Sequence, residues 1–475
     1  MIVPRNRLLF WFAIIVPPFS FLGAVEPAAV GVSMLALGGF LAVSLIDALR
    51  ARRMLAGIRV QLPLLVRMSK DRDGKIEVRI QNERQGPTTL RLALALPKEI
   101  PSEQEETIIA LPSASEWSRF SWACRPAKRG NYRVHSAHLE TSSPFGFWST
   151  RGRFPLDSEI RVYPNLMADR KDLAAMFLHR GSFGLHAQRQ IGKGREFEKL
   201  REYAPGDGYE DIHWKATARR GRPITKVFQI ERTQELYVVI DASRLSARQV
   251  LVPKLKPAGA LSTETTVGLA PNRDSSPYVS GKTEPQPATT LERFITAALV
   301  LGLAAEQQGD LFGLLTFTNK VDNFVRAGNG KTHYSACRDT LYLLEPQIVA
   351  PDYDEACTFI RLRLRRRALL VFLTALDDAV LAESFVKNMD LIRRQHLVLV
   401  NMLQPPGVAP LFSAPNVSSM DDVYQSLGGH LLWNNLRELE KVLQRRGVKF
   451  SLLKNERLGA ELVSQYLDVK RRQML

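Results

Sequence analysis

The run ELYVVIDAS occupies residues 235–243. Its apolar centre, Leu236 to Ile240, is unbroken and then ends on Asp241 and Ser243. A short continuous apolar run of this kind suits a strand buried on both faces. Polar residues at the carboxyl end of such a strand stand where open α/β sheets bind their ligands. Downstream, strand and helix patterns alternate. DLFGLLTFT (310–318), ALLVFLTALDD (368–378), HLVLVNML (396–403) and VKFSLLK (448–454) read as strands. TLERFITAALVLGLAAEQQ (290–308), AVLAESFVKNMDLIRR (379–394) and NLRELEKVLQRRG (435–447) read as helices, and CRDTLYLLEPQ (337–347) begins as one. This order predicts an α/β domain over residues 233–475, an open, doubly wound, mostly parallel sheet covered by helices. Residues 254–289 interrupt it. They are rich in Pro, Ser, Thr and Gly, and their composition predicts a disordered insertion.

Upstream lies a polar segment, residues 196–232. Its Pro205-Gly206-Asp207-Gly208 turn stops any helix before it. Asp211 is placed to cap the short helix IHWKATARR, with Trp214 turned inward. Residues 166–232 are therefore a junction segment. Before it, KIEVRIQNE, TTLRLALALP, ETIIALP, RFSWACRP, NYRVHSAHLE and SEIRVYPN alternate as half-buried strands do. They predict a small antiparallel β domain, a sandwich, over 76–165. Residues 51–75 read as a basic, partly helical connector.

The chain opens on two apolar stretches, LLFWFAIIVPPFSFLGAV (8–25) and PAAVGVSMLALGGFLAVSLI (27–46), separated by Glu26. A bilayer-spanning helix needs about 20 apolar residues. Arg5 and Arg7 precede the first stretch, and Arg50, Arg52 and Arg53 follow the second. The positive-inside rule then places both flanks in the cytoplasm. The reading is a transmembrane helical hairpin over 1–50. A secretory signal would show one such stretch rather than two in succession. The net charge of +17 suits anionic lipid headgroups or an acidic partner. The basic residues are scattered, and no nucleic-acid module is recognisable. Cys124, Cys337 and Cys357 are widely spaced and odd in number, unlike a disulfide framework or a zinc site.

Several residues in this chain carry a family pattern. They are Leu200-Arg201-Glu202-Tyr203, Pro205-Gly206-Asp207, Ile212 with Trp214, Ala218-Arg219, and Asp241-Ala242-Ser243 after a strand. Arg129-Gly130-Asn131-Tyr132, Ser143-Pro144-Phe145-Gly146-Phe147 and Gly309-Asp310-Leu311-Phe312-Gly313 extend it. The chain thereby resembles the bacterial DUF58 family, although Ser143 stands where the family carries Asp. The resemblance implies a von Willebrand factor A-like C-terminal domain. It also implies a Mg²⁺ or Mn²⁺ site of oxygen ligands at a strand end, a chemistry that hard cations favour. Carried onto this chain, the ligands would be Asp241, Ser243, Thr332 and either Asp377 or Asp378. The pattern's second Ser falls on Leu245, with Ser246 one residue late.

Other features invite less chemistry. Gly330-Lys331-Thr332 ends like a phosphate-binding loop, but Val325 stands where its first Gly belongs. His213 has no nucleophile beside it in sequence. Arg201, Glu202, Asp207, Trp214 and Arg219 are expected to form a salt-bridged junction or contact surface. The resemblance implies a non-catalytic, membrane-anchored interaction platform working with a MoxR-type AAA+ ATPase in assembly, maturation or envelope stress. The expected location is the inner (cytoplasmic) membrane, two-pass, with the large soluble part in the cytoplasm. The alternative is a metal-dependent hydrolase with its site at the carboxyl edge of the sheet.

Overall fold

The computed structural model describes residues 1–83, 88–112, 115–167, 174, 191–205, 208–229, 234–252, 286–411, 413 and 419–472. It divides into two units, Met1–Asn165 and Leu166–Leu475.

The first unit begins with a short strand β1 (Ile2–Pro4) and two antiparallel helices, α1 (Asn6–Val25) and α2 (Val30–Ala51). Both are long and apolar enough to cross a membrane. Twenty residues at 1.5 Å each give α1 a length of about 30 Å, matching the hydrocarbon thickness. Pro17 and Pro18 lie inside α1 without dividing it. Eight strands follow: β2 (Ile58–Gln61), β3 (Leu65–Ser69), β4 (Gly74–Asn82), β5 (Thr88–Leu94), β6 (Thr107–Leu111), β7 (Trp117–Cys124), β8 (Gly130–Ser142) and β9 (Trp148–Tyr163). They form one sheet in the order β1-β9-β8-β5-β6, with β3 also on β9, and a second in the order β2-β4-β7. Alternate side chains of both sheets, among them Ile76, Val78, Leu90, Leu92, Trp122 and Ile160, share one core. Residues 58–61 and 65–69 thus belong to the sandwich. The connector expected over 51–75 is corrected, because Ile58, Val60 and Met68 alternate into that core.

The second unit opens with an antiparallel pair, β10 (Ile191–Glu202) and β11 (Ile224–Gln229), with the short helix α3 (Trp214–Arg220) between them. Its main sheet is built from β12 (Glu235–Asp241), β15 (Leu311–Phe317), β16 (Val321–Gly328), β17 (Leu369–Leu373), β18 (Leu397–Leu403) and β19 (Lys449–Leu453). The order is β16-β15-β12-β17-β18-β19. All neighbours are parallel except β16, which runs back along β15. Helices α4 (Thr290–Gln307), α5 (Lys331–Leu341) and α9 (Leu458–Arg471) contribute to the core on one face. Helices α6 (Tyr353–Arg363), α7 (Ala379–Ile392) and α8 (Met420–Arg445) contribute to the other. The expected α/β class is therefore observed, as a mixed sheet with an antiparallel edge.

The expected insertion 254–289 lies largely outside the described residues. Its ends are joined by the antiparallel pair β13 (Gln249–Val252) and β14 (Gln286–Thr289), so residues 286–289 are strand rather than insertion. The three cysteines are buried free thiols, which burial pushes up to about 11 for Cys124 and Cys337 and about 12 for Cys357.

At the amino edge of this sheet Asp310 holds the C-terminal helix. Its carboxylate is buried, accepts from the Gln234 N–H at 3.2 Å and from the Tyr466 hydroxyl, and meets Lys470 Nζ at 2.8 Å. Gly309 before it has φ 73°, which favours glycine. A Cβ on Gly313 would stand 2.4 Å from the Tyr237 ring. These contacts give physical reasons for the Gly309-Asp310-x-x-Gly313 spacing. Substituting Asp310→Ala removes the acceptor of the Gln234 N–H and the Tyr466 hydroxyl and leaves Lys470 with the Gln308 carbonyl. It should cost about 3 kcal/mol of unfolding free energy by urea titration.

Candidate functional site

Strand β12 is central in its sheet and delivers Asp241 to the carboxyl edge, where the residue is 0 % exposed. Register places it beside Phe317 at the end of β15. Both carboxylate oxygens are committed to the protein. Oδ1 accepts from the Ser243 N–H at 2.9 Å, and Oδ2 accepts from the Thr374 hydroxyl at 2.7 Å. Thr374 in turn shares a hydrogen bond of 2.9 Å with the Tyr353 hydroxyl. Ser243 Oγ accepts from the Leu245 N–H at 3.4 Å, and the Ser246 hydroxyl donates to the Ser243 carbonyl at 2.8 Å. Ser243 and Ser246 are as buried as Asp241.

This network has a distinct electrostatic character. Burial pushes the Asp241 carboxyl above the usual range, against the hydrogen bonds from Ser243 and Thr374. Burial, followed by the nearby Asp241 charge, pushes the Tyr353 hydroxyl well above its ordinary value.

The structure distributes the expected cation ligands unevenly. Asp241 and Ser243 are together. Thr332 is not with them: β16 runs antiparallel to β15 and pairs Gly328 with Phe312, at the amino end of the sheet. Thr332 follows at the start of α5, on the edge opposite Asp241, and His333 Nε2 lies 2.7 Å from the Phe312 carbonyl. Asp377 is ion-paired to Arg248, while Asp378 caps α7 by accepting from the Val380 and Leu381 N–H groups. Leu245 is buried where the pattern wants a second hydroxyl. Among the described residues, no group of three His, Cys, Asp or Glu side chains converges on one point. A hard divalent cation wants several free oxygens in near-octahedral array. Asp241 and Ser243, with Thr332 on the far edge and Asp377 and Asp378 engaged by Arg248 and the α7 cap, do not by themselves assemble that array. Thr374, beside Asp241 on the neighbouring strand, was not singled out from sequence. Its signal is position: it directly follows the apolar run that pairs with β12.

The polar signature segment also departs from expectation. Residues 191–202 form a strand ahead of the turn, so the turn has no helix to stop. The cap of α3 is His213, whose Nδ1 accepts from the Ala216 N–H at 3.1 Å, and not Asp211. Starting the helix at Trp214 turns that ring outward, 68 % exposed, so the inward Trp214 is corrected. Glu202 pairs with Arg222 at 3.1 Å, with both side chains open to solvent. An exposed pair of this kind contributes little, in contrast to the buried pairing expected for the junction. The Arg201 guanidinium donates to the Glu202 carbonyl at 3.4 Å, Arg219 is exposed, and Asp207 lies outside the described residues. Gly330 has φ 88° and stands immediately before α5.

The raised Asp241 carboxyl has a consequence with a definite sign. The folded protein holds this proton more tightly than the unfolded chain. Stability from this group is therefore fullest below about pH 4 and declines as pH rises through the raised folded value. Asn at this position keeps an acceptor for Ser243 and removes the buried charge. Asp241→Asn should raise the thermal midpoint at pH 7.5 in chelator-treated protein, and the gain should shrink toward zero near pH 4. Scanning calorimetry at the two pH values checks this.

Comparison with known proteins follows the same segments. The family model described as "Protein of unknown function DUF58" matches residues 199–256 and 262–409. Among curated relatives, the Bacillus subtilis (strain 168) protein described as "Uncharacterized protein YeaD" is 28% identical over 118 residues. That alignment covers 24% of this chain and 28% of the relative's length. Among solved structures, proximal thread matrix protein 1 from the mussel byssus matches at 8% identity and TM-score 0.24, over 50% of this chain and 45% of its own. The YadV chaperone matches at 16% identity and TM-score 0.16, over 25% and 58%. Those TM-scores carry no argument about fold. β11 and the 235–243 strand end fall within the matched segments, and this part of the chain belongs to the DUF58 family.

Proposed function

We propose that this chain is a non-catalytic platform that holds a partner protein at the surface of the membrane its N-terminal hairpin crosses. The observation that carries the reading is on α8. This helix has 26 residues and a length of about 39 Å, whereas β18 beside it spans about 23 Å. Only the second half of α8 is seated: Leu436 and Leu443 are buried on the sheet. At Gly429 the helix touches the 407 loop, where a Cβ would meet the Gly407 carbonyl oxygen at 2.0 Å. Before that point the helix overhangs. Met420, Val423, Tyr424, Leu427 and Leu431 recur at helical spacing along one stripe, and all are exposed, Tyr424 at 66 %. The stripe begins on the same edge of the sheet as Asp241. An exposed apolar stripe on a helix is a common form of partner recognition.

The net charge of +17 suits a partner that carries acidic surface away from the stripe, whose own first turn holds Asp421 and Asp422. The resemblance suggests a MoxR-type AAA+ ATPase, and the arginine flanks of the hairpin suggest a cytoplasmic soluble part on the inner membrane. The von Willebrand factor A-like reading of the C-terminal unit belongs to the same proposal. A metal-dependent hydrolase draws less support, because it needs several oxygen ligands and a base at one point, and Thr332 lies on the edge opposite Asp241.

The test is affinity capture from solubilised membranes with the full chain, the Tyr424→Asp/Leu427→Asp pair and Asp241→Ala. An AAA+ ATPase should be recovered with the parent and fall at least tenfold with the α8 pair, whose thermal midpoint should stay within about 2 °C of the parent. Recovery unchanged by the α8 pair would overturn the docking surface. Recovery of no ATPase would overturn the partner.

A further inference from the structure

The sandwich is seated on the hairpin by a buried carboxylate. Asp47, near the end of α2, is 0 % exposed and accepts from the Ser143 hydroxyl at 2.5 Å and from the Phe145 and Phe147 N–H groups at 3.2 Å each. The Trp148 indole donates to the Ser44 carbonyl at 3.0 Å, and the Thr150 hydroxyl to the Ala51 carbonyl at 2.7 Å. On the other helix, β1 pairs with β9 and the Arg5 N–H donates to the Phe147 carbonyl at 2.9 Å. Phe147 is thereby carried down to Phe40, with ring centroids 6.2 Å apart. Phe40 lies seven residues before Asp47, about 10 Å along the helix toward the apolar centre.

Two cavities flank this loop. One is a polar cleft of 620 Å³ lined by Arg5, Arg7, Arg91, Arg151, Glu140 and Ser142 among others. Four guanidinium groups face one carboxylate there, a formal surplus of three positive charges. Arg151 is paired with Glu140 at 2.9 Å, and Arg91 with Glu106 at 3.2 Å outside the cleft. Arg5 donates to the Ser142 hydroxyl at 2.5 Å. Among the described residues, neither Arg5 nor Arg7 meets a carboxylate. The first turn of α1 opens on the same cleft with no acidic residue and no side-chain cap. Its unopposed N–H groups add to the positive field. The other cavity is an apolar groove of 430 Å³ between α1 and α2, lined by Trp11, Ile15, Phe19, Leu35, Phe40 and Phe147 among others.

The two cavities share one helix face. Arg7, Trp11, Ile15 and Phe19 follow at intervals of four on α1, so the charged cleft runs directly into the apolar groove. The geometry points to a binding site for one anionic glycerophospholipid, its phosphate among Arg5, Arg7 and Arg91 and an acyl chain along Trp11, Ile15 and Phe19. A soluble phosphate would use only the upper half. A lipid of the surrounding bilayer satisfies both halves and lies at the depth where each is found. The site rests on the two-pass reading of the hairpin and is independent of the α8 surface.

Native mass spectrometry of the full chain in a neutral detergent tests it, with dioleoyl phosphatidylglycerol titrated against dioleoyl phosphatidylcholine. Phosphatidylglycerol adducts should persist at about tenfold lower lipid concentration than phosphatidylcholine adducts. Arg7→Gln/Arg91→Gln should abolish that preference. Ile15→Trp, which fills the groove and leaves every charge in place, should weaken both adducts. Glycerol 3-phosphate at millimolar concentration should not displace the lipid. Equal binding of the two lipids, or variants that bind like the parent, would overturn the site. Displacement by glycerol 3-phosphate would replace it with a soluble-anion site, and lipid-free dimers would give the groove to a second copy. Vesicle flotation of the same preparations separates the failures: a chain that does not float removes the membrane reading itself, and one that floats without lipid preference removes only this site.

Discussion

A carboxylate that can neither reach water nor be left alone organises the first half of this protein. Asp47 sits at the exit of α2 with no exposed surface and accepts three hydrogen bonds from residues 143–147. An unpaired charge in that position would be strongly unfavourable, so the loop between β8 and β9 must stay where it is. Holding that loop fixes Phe147 against Phe40 and lets β1 complete the edge of the sheet. The sandwich is therefore joined to its membrane helices by a defined polar contact and by the pairing of β1 with β9. Any force or orientation imposed on the β domain passes directly to the helices.

The second half treats a strand end in a comparable way. Asp241 is placed where many α/β proteins bind a ligand, yet Ser243 and Thr374 hold both of its oxygens. Tyr353 extends the network by one further hydrogen bond. A buried hydrogen-bonded network rigidifies the edge it occupies. It gives the adjoining loops a fixed shape, which is a useful property for a surface that another protein reads. At the opposite edge, Asp310 does the corresponding work by tying Lys470 and Tyr466 of the last helix to the start of β15.

Surface character also divides along the fold. The large basic surplus gives the chain a long-range attraction for anionic surfaces. Apolar surface is offered by the exposed stripe of α8 and by the aromatic groove between α1 and α2. The first feature faces water and the second faces hydrocarbon, so they suit different partners.

Much of this architecture could be read from periodicity. The two apolar stretches determine α1 and α2 by length alone, and the unbroken run at 235–240 determines a doubly covered central strand, because burial on both faces leaves no position for a polar residue. Alternation marked the sandwich strands after residue 76 but missed β2 and β3, which at 4 and 5 residues are too short to show a period clearly. Spacing also misled at Thr332, since nothing local records that β16 turns back antiparallel and carries its end to the far edge. Trp214 was misplaced because one residue in the start of a helix rotates a side chain by about 100°. Asp47 and Thr374 were legible only as residues beside apolar runs. Their roles depend on groups about 100 and 133 positions away, and only the tertiary structure brings those groups within hydrogen-bonding distance.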